Sequence, residues 1–150
     1  MTATATTATA KPTTAKPAAK LALDFVLLHV DSPAASAAFY ADLLGRPPVE
    51  ASPTFAMFKA GDGLMLGLWS RHTVEPAATL PGGSEIAFTV ADEAAVRDLH
   101  ADWSARGLTI LQPPTAMDFG HTFVARDPDG HRLRVFAPHR EENQSEQVRS

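Results

Sequence analysis

The chain has no cysteine among its 150 residues. Disulfides, thiolate nucleophiles and cysteine-ligated zinc or iron–sulfur sites are therefore excluded. It also lacks an excess of positive charge, because 13 Lys and Arg stand against 17 Asp and Glu. That balance provides no electrostatic footprint for nucleic acid or an anionic membrane. No apolar run approaches the roughly 18 residues of a membrane span. We therefore expect a cytoplasmic protein that binds neither nucleic acid nor membrane.

The two ends of the chain have little apolar content. Residues 1–20 are almost wholly Thr, Ala, Lys and Pro, and two Lys-Pro pairs prevent a continuous helix. They also lack the apolar centre of a secretory signal. We predict a disordered tail, with an arm that crosses to a partner subunit as the alternative. Residues 139–150 are predicted to form a polar, frayed C-terminal tail.

Between these tails, residues 21–138 contain the same order of elements twice. Ser32 and Asp92 are predicted N-caps 60 residues apart, and Gly45 and Gly107 are helix-ending glycines 62 residues apart. The chain is therefore predicted to duplicate a βαβββ unit, with modules at about 21–75 and 83–138. The fold class is α+β. Each module is too one-sided to bury its sheet alone, so two must pair within or between chains.

The residue pattern also predicts the bounds of the strands and the inward faces of the helices. In the first helix the inward residues are predicted to be Ala35, Phe39, Leu43 and Leu44, and in the second Val96, Leu99 and Trp103. Strands are predicted over residues 21–30, 49–51, 54–59, 64–70, 84–90, 108–112, 121–126 and 132–136.

The last two strands flank Asp127-Pro128-Asp129-Gly130, where Pro128 pre-sets φ and Gly130 accepts positive φ. We assign Asp127 and Gly130 to turn formation. With the preceding Phe119-Gly120 pair, this hairpin resembles the vicinal oxygen chelate superfamily, which includes glyoxalases, bleomycin-resistance proteins and extradiol dioxygenases. The resemblance implies a curved mixed sheet formed by two modules around a cleft, usually in a homodimer.

In metal-dependent members of that superfamily, four strands each supply one ligand to the cleft. The matching positions here are Phe25, Gly67, Glu85 and Arg134, with Leu66 as the alternative to Gly67. One carboxylate beside a guanidinium cannot hold a divalent cation, because the guanidinium repels it and too few donors remain. We therefore predict no metal, no cofactor and no catalytic residue.

Alternation along the strands indicates what the cleft offers instead. Residues two apart share a face, so Phe25 is accompanied by His29, Gly67 by Trp69, and Arg134 by Phe136. Gly67 is expected to leave room for a flat molecule against the Trp69 indole, and Phe119 or Phe55 is expected to form the opposing wall. The predicted ligand-binding set is Phe25, His29, Phe55, Gly67, Trp69, Glu85, Phe119, Arg134 and Phe136.

Several of these residues also have a purely structural interpretation. Trp69 suits the core or a dimer interface as well as a stacking platform, and Phe25 and Phe136 suit simple packing. Glu85 and Arg134 can form a buried ion pair, or Arg134 can bind a carboxylate or ring nitrogen of the ligand.

Further motifs resemble the phenazine (griseoluteate) antibiotic resistance branch of the superfamily. They are Phe39-Tyr40, Leu43-Leu44-Gly45, Phe55-Ala56-Met57-Phe58, Gly67-Leu68-Trp69-Ser70, Ser84-Glu85-Ile86 and Phe119-Gly120-His121-Thr122-Phe123. The resemblance implies metal-free binding of a planar tricyclic antibiotic in clefts at a dimer interface. Two departures bear on the identity of the ligand: His121 stands where the branch usually has Arg, and Ser70-Arg71 replaces a glycine-rich turn.

The leading hypothesis is a homodimer that sequesters a planar aromatic small molecule without metal, as a resistance protein. The alternative is a superfamily enzyme, either a metal-free lyase or isomerase with Glu85 or His29 as general base, or a glyoxalase-like enzyme with displaced metal ligands. A third hypothesis is an interaction module without a small ligand.

Overall fold

A computed structural model of the chain describes residues 21–139. The predictions of a disordered N-terminal tail and a polar C-terminal tail therefore concern residues outside this range, apart from His139. The described chain contains two modules, and each has the order strand, helix, strand, strand, strand. The predicted α+β class and the duplicated βαβββ unit are confirmed.

The first module consists of β1 (Phe25–Val30), α1 (Pro33–Leu44), β2 (Glu50–Ala51), β3 (Phe55–Gly61) and β4 (Leu64–Ser70). The second consists of β5 (Glu85–Thr89), α2 (Glu93–Ala105), β6 (Thr109–Met117), β7 (Gly120–Arg126) and β8 (Arg132–Pro138). Neither helix of the described chain is long and apolar enough to cross a membrane.

Capping fixes where the two helices begin and where α1 ends. Ser32 accepts a hydrogen bond from the amide of Ala35 at 3.1 Å, and Asp92 accepts one from Ala95 at 2.9 Å. Gly45 follows α1 in the left-handed conformation at φ 70°, and its N–H donates to the Ala41 carbonyl. These caps were predicted, and both N-caps and the C-terminal glycine of α1 are confirmed.

Each module folds its strands into a separate four-stranded mixed sheet. The first has the order β1-β4-β3-β2 and the second β5-β8-β7-β6, and in both the first two strands of the order are parallel. Within residues 21–139, no strand of one sheet pairs with a strand of the other. The single curved sheet expected from the resemblance is thus two sheets in one chain.

The hydrophobic core lies between each sheet and its helix and includes residues of both modules. In the first module Val30, Phe58 and Leu68 have no exposed surface, and in the second Phe123, Leu133 and Val135 have none. Alternation along these strands places the intervening residues on the opposite face of each sheet. Within residues 21–139, that opposite face has no helix of its own module against it.

The inward face of α1 differs from the prediction. Its buried residues are Pro33, Ser36, Ala37 and Tyr40, whereas Phe39, Leu43 and Leu44 are partly buried and Ala35 is exposed. The helix turns polar groups inward because the second module supplies their partners. The Tyr40 hydroxyl donates to Asp127 at 2.7 Å and the Ser36 hydroxyl to Asp129 at 3.4 Å.

The Asp-Pro-Asp-Gly turn therefore joins the modules as well as reversing the chain. One Asp127 oxygen accepts from the amides of Asp129 and His131 at 2.9 and 2.8 Å, which confirms its part in the turn, and the other accepts from Tyr40. Asp129 accepts from the amide of Asp31 at 2.9 Å. We call Tyr40, Ser36, Asp127 and Asp129 the inter-module latch.

Candidate functional site

The helix-free side of the first sheet carries a mainly apolar surface, the aromatic face, formed by Phe25, Leu27, Phe55 and Trp69. Strand alternation puts these residues opposite the buried Leu28, Ala56 and Leu68. Phe25 is 39% exposed and Leu27 46% exposed. The rings of Phe55 and Trp69 meet edge to face with centroids 6.3 Å apart. A groove of about 480 Å³ runs over all four residues.

Gly67 lies beneath this surface, and the room expected beside Trp69 is filled. A Cβ atom at Gly67 would lie 2.7 Å from Leu27 Cδ2, 2.9 Å from Phe25 Cε1 and 3.0 Å from Phe55 Cζ. The missing side chain thus lets three apolar side chains pack onto the strand. A flat molecule would lie on top of that layer, and the glycine acts by positioning the layer.

His29 lies at one end of the aromatic face. Its ring meets Trp69 edge to face at a centroid distance of 6.5 Å, and it also lines a cavity of about 420 Å³ between the modules. Next to it, the His72 ring nitrogen lies 2.7 Å from Asp31 Oδ1. That hydrogen bond, with the nearby Arg71 charge, lowers the pKa of the Asp31 carboxyl.

The helix-free side of the second sheet is dominated by an ion pair between Glu85 and Arg134. Arg134 Nε and Nη2 donate to the two Glu85 oxygens at 2.7 and 2.9 Å, which is bidentate geometry. Their side chains are 28% and 18% exposed. The hydrogen bond from Arg134 holds the pKa of the Glu85 carboxyl below its ordinary value. The ion pair expected from the sequence is formed, but it is partly exposed where a buried pair was predicted.

Phe119 and Phe136 lie on the same sheet and contact each other, with centroids 5.9 Å apart. Phe119 and Phe55 were the two residues considered for a wall opposite Trp69. Within one chain Phe119 packs on Phe136, whereas Phe55 contacts Trp69 edge to face. Among the described residues, no hydrogen bond, ion pair or aromatic contact joins Phe119, Phe136, Glu85 or Arg134 to the aromatic face. The predicted set is therefore divided between the two sheets. The aromatic face is the first wall, and Glu85, Arg134, Phe119 and Phe136 form the second wall.

The four superfamily ligand positions do not fit a metal ion. Phe25 and Gly67 offer no side-chain donor, and Arg134 offers only N–H groups. Glu85 is the single anionic donor, and two guanidiniums contact it, Arg134 at 2.7 Å and Arg132 at 3.1 Å. Over residues 21–139, no cluster of three or more His, Asp or Glu is arranged to hold a metal ion.

Sequence reasoning missed three polar residues of the second wall: Thr122, Gln112 and Arg132. Arg134 Nη1 donates to Thr122 Oγ1 at 3.1 Å, with Gln112 Oε1 at 3.4 Å. Thr122 is fully buried and pairs across the strands with Phe136. The sequence signal available for Thr122 was its position two residues after Gly120. Residues two apart on a strand lie on the same face of the sheet.

Residues 22–135 match the family model described as the Glyoxalase/Bleomycin resistance protein/Dioxygenase superfamily. The phenazine antibiotic resistance protein EhpR of Enterobacter agglomerans is 30% identical over 112 residues, which cover 73% of this chain and 86% of that protein.

Two solved structures extend the comparison. A protein from Agrobacterium tumefaciens, solved by solution NMR, is 52% identical with a TM-score of 0.75, and the match covers 81% of this chain and all of that one. A glyoxalase-related enzyme from Fulvimarina pelagi is 26% identical with a TM-score of 0.69, covering 77% of this chain and 87% of that one. Since the family model spans most of both modules, the chain belongs to the glyoxalase/bleomycin resistance protein/dioxygenase superfamily.

Proposed function

We propose that this protein binds and sequesters a planar aromatic small molecule, such as a phenazine-type antibiotic, without a metal ion. The observation that carries the proposal is the aromatic face with its groove of about 480 Å³. Exposed apolar side chains packed side by side are typical of a ligand or protein interface. The 30% identity to a phenazine antibiotic resistance protein supports a ligand of this class.

The proposed binding site needs two copies of the chain. Trp69 on the first sheet and Phe119 on the second belong to different walls, and exposed apolar residues occur on both modules, among them Leu27 and Met117. In the proposed homodimer, the aromatic face of one protomer meets the second wall of its partner, so that a ligand is enclosed between them. A sedimentation experiment that finds only monomer at micromolar concentration would contradict this arrangement.

Sequestration requires stacking and exclusion of water, with no bond made or broken. The Trp69 indole supplies a flat, electron-rich surface, and Phe25 and Phe55 extend it. Stacking of one aromatic ring system on such a side chain contributes about 1–3 kcal/mol. The bound compound is therefore held out of reach of its target and released chemically unchanged.

Fluorescence of single-tryptophan variants tests the proposal, because the chain has two tryptophans in different environments. Trp103 is 5% exposed in the core, between Phe88 and Phe123, whereas Trp69 lies on the aromatic face. The Trp103→Phe protein, titrated in EDTA with phenazine-1-carboxylate, should show saturable quenching at one equivalent per subunit. A non-aromatic carboxylate should have no effect.

Calorimetry with the Trp69→Leu variant is the matched control, since it removes the indole and leaves the core tryptophan. We expect its affinity for the phenazine to fall about tenfold or more. Unchanged affinity would remove Trp69 from the site. Recovery of a chemically modified phenazine would replace sequestration by catalysis.

The enzyme hypothesis has less support from the geometry. Two guanidiniums contact Glu85 and its pKa is lowered, so the carboxylate is a weak base near neutral pH. Turnover that is lost in a Glu85→Gln variant would nevertheless favour it over sequestration. The hypothesis of an interaction module without a small ligand predicts no saturable binding of either compound.

A further inference from the structure

Strand register places a row of charged residues across the second wall, at the end away from Phe119. Glu85 pairs with Arg132, Arg132 with Arg126, and Arg126 with Thr109. Arg134, two residues beyond Arg132, lies on the same face. We call Arg126, Arg132 and Arg134 the arginine row. Among the described residues, Glu85 is the only carboxylate in ion-pair contact with these three guanidiniums, so this part of the wall has an excess of positive charge.

The three arginines differ in how many of their guanidinium N–H groups already donate hydrogen bonds. Arg134 donates to Glu85 through two nitrogens and to Thr122 through the third, so its guanidinium has little left to offer a ligand. Over residues 21–139, Arg132 has one ion-pair contact, at 3.1 Å to Glu85, and its side chain is 48% exposed. Its planar fork retains N–H groups directed away from that contact.

Arg126 increases the positive potential at this point. It is exposed and lies directly opposite Arg132, at the edge where it also borders a groove beside α1. Like charges directly opposite on two strands repel each other and destabilise the pair. In the part of the chain described, no carboxylate lies within ion-pair distance of Arg126. An incoming anion would relieve this repulsion.

The aromatic and charged parts of the wall are continuous along β8. Arg132, Arg134 and Phe136 follow at every second residue on one face, and Phe119 packs against the far end. A flat ligand in contact with Phe136 therefore has arginine donors along its edge. The first wall, by comparison, is largely apolar where it lies over Gly67.

We propose that the arginine row, with Arg132 as the principal donor, binds the carboxylate of a planar aromatic acid and so selects acids over uncharged aromatic compounds. This inference rests on the proposed function and specifies its ligand class. A guanidinium and a carboxylate match in geometry and form charge-assisted hydrogen bonds. The ligand carboxylate is thus assigned to Arg132, whereas the sequence had suggested Arg134 for this role.

The test compares phenazine-1-carboxylate with uncharged phenazine, titrated into the full-length protein at low and high salt. The wild-type protein should bind the acid about tenfold or more tightly than phenazine, and added salt should reduce that preference. Arg132→Gln should abolish the preference by weakening binding of the acid, with a much smaller effect on the affinity for phenazine. Arg132→Lys should retain part of it, since the charge remains.

Arg97→Gln is the matched control, because Arg97 lies on α2, paired with Glu93, outside both walls. It should bind both compounds as the wild type does. Equal binding of the acid and phenazine by wild type and Arg132→Gln would overturn this inference and leave sequestration standing. Binding of neither compound would overturn both. If Arg132→Gln changes dimer dissociation and not ligand affinity, the partner of the row is an acidic side chain of the second protomer, and the inference is wrong.

Discussion

Removal of one hydroxyl from the inter-module latch should cost a large part of the stability of the fold. Tyr40 is fully buried and donates to Asp127 Oδ2 at 2.7 Å, and Asp127 is only 3% exposed. In the described structure Tyr40 is the only side chain that donates to that carboxylate oxygen. The variant Tyr40→Phe keeps the ring and deletes the donor, so a buried carboxylate oxygen is left without a partner.

The expected loss is about 2 kcal/mol, because hydrogen bonds to charged groups contribute about 1.5–3 kcal/mol and the accepting carboxylate is buried. For a domain of this size the melting temperature should fall by roughly 6–10 °C. Urea unfolding of the variant should shift in midpoint with an unchanged m value. A loss below about 0.5 kcal/mol would refute the reasoning. In a double-mutant cycle, Asp127→Asn should cost much less in the Tyr40→Phe background.

The same residue provides a spectroscopic check, since the chain contains a single tyrosine. Burial, and then the charge of Asp127, raise the pKa of Tyr40 well above its ordinary value. A raised folded-state pKa means that the stabilisation is complete below about pH 10, the unfolded value, and is lost as the pH rises further. Tyrosinate absorbance should therefore appear only together with alkaline unfolding. A separate titration near pH 10 in folded protein would contradict the burial of the hydroxyl.

Two further predictions concern the second sheet. Gly120→Ala should lower the free energy of unfolding by roughly 3 kcal/mol or more, since φ is 147° and the added Cβ would overlap the Ala137 carbonyl. The control Gly61→Ala, where no atom lies within 4 Å of the added Cβ, should change stability by less than about 0.5 kcal/mol. Equal melting temperatures for the two variants would refute this prediction. Glu85→Gln should lower the free energy of unfolding by about 1 kcal/mol at neutral pH. It should also flatten the acid limb of the stability curve, because the lowered pKa of Glu85 stabilises the fold above about pH 4.3 and that contribution is lost as the pH falls. An unchanged acid limb in urea titrations would exclude the pair with Arg134.

Local patterns predicted most of the elements because local chemistry determines them. The N-caps Ser32 and Asp92, the glycine after α1 and the strand Leu64–Ser70 all occur where the sequence placed them. Each depends on side chain to backbone bonds within a few residues or on alternation of burial. These signals do not require knowledge of the rest of the fold.

The bounds of β6 could not be predicted in the same way. The strand was expected to stop at Gln112, before Pro113-Pro114, but it continues to Met117. It can do so because β6 is an edge strand, where a proline without an N–H interrupts no second ladder, and register shifts on both sides of Gln112 absorb the prolines. Edge position is a property of the whole sheet.

The candidate site was predicted only in part, for the same reason. Alternation assigned Trp69 and Phe25 to one face correctly, because both lie on neighbouring strands of one sheet. The predicted module bounds already placed Phe119 in the second module, but nothing in the pattern indicated that its ring would pack against Phe136. The hydrogen-bond partners of Ser36 and Tyr40 come from a turn about 90 residues later in the chain. The polar inner side of α1 therefore could not be predicted from the pattern of the helix itself.

The inter-module latch also bears on how a ligand would enter. Bonds from α1 to the Asp-Pro-Asp-Gly turn hold the two sheets of one chain at a fixed orientation, and one of these bonds is fully buried. A hinge within the chain would have to break that bond at every opening. In the proposed homodimer, admission and escape of the ligand would instead depend on relative movement of whole protomers. Retention of the ligand would then follow the strength of subunit association, so dilution below the dimer dissociation constant would increase the fraction of ligand released.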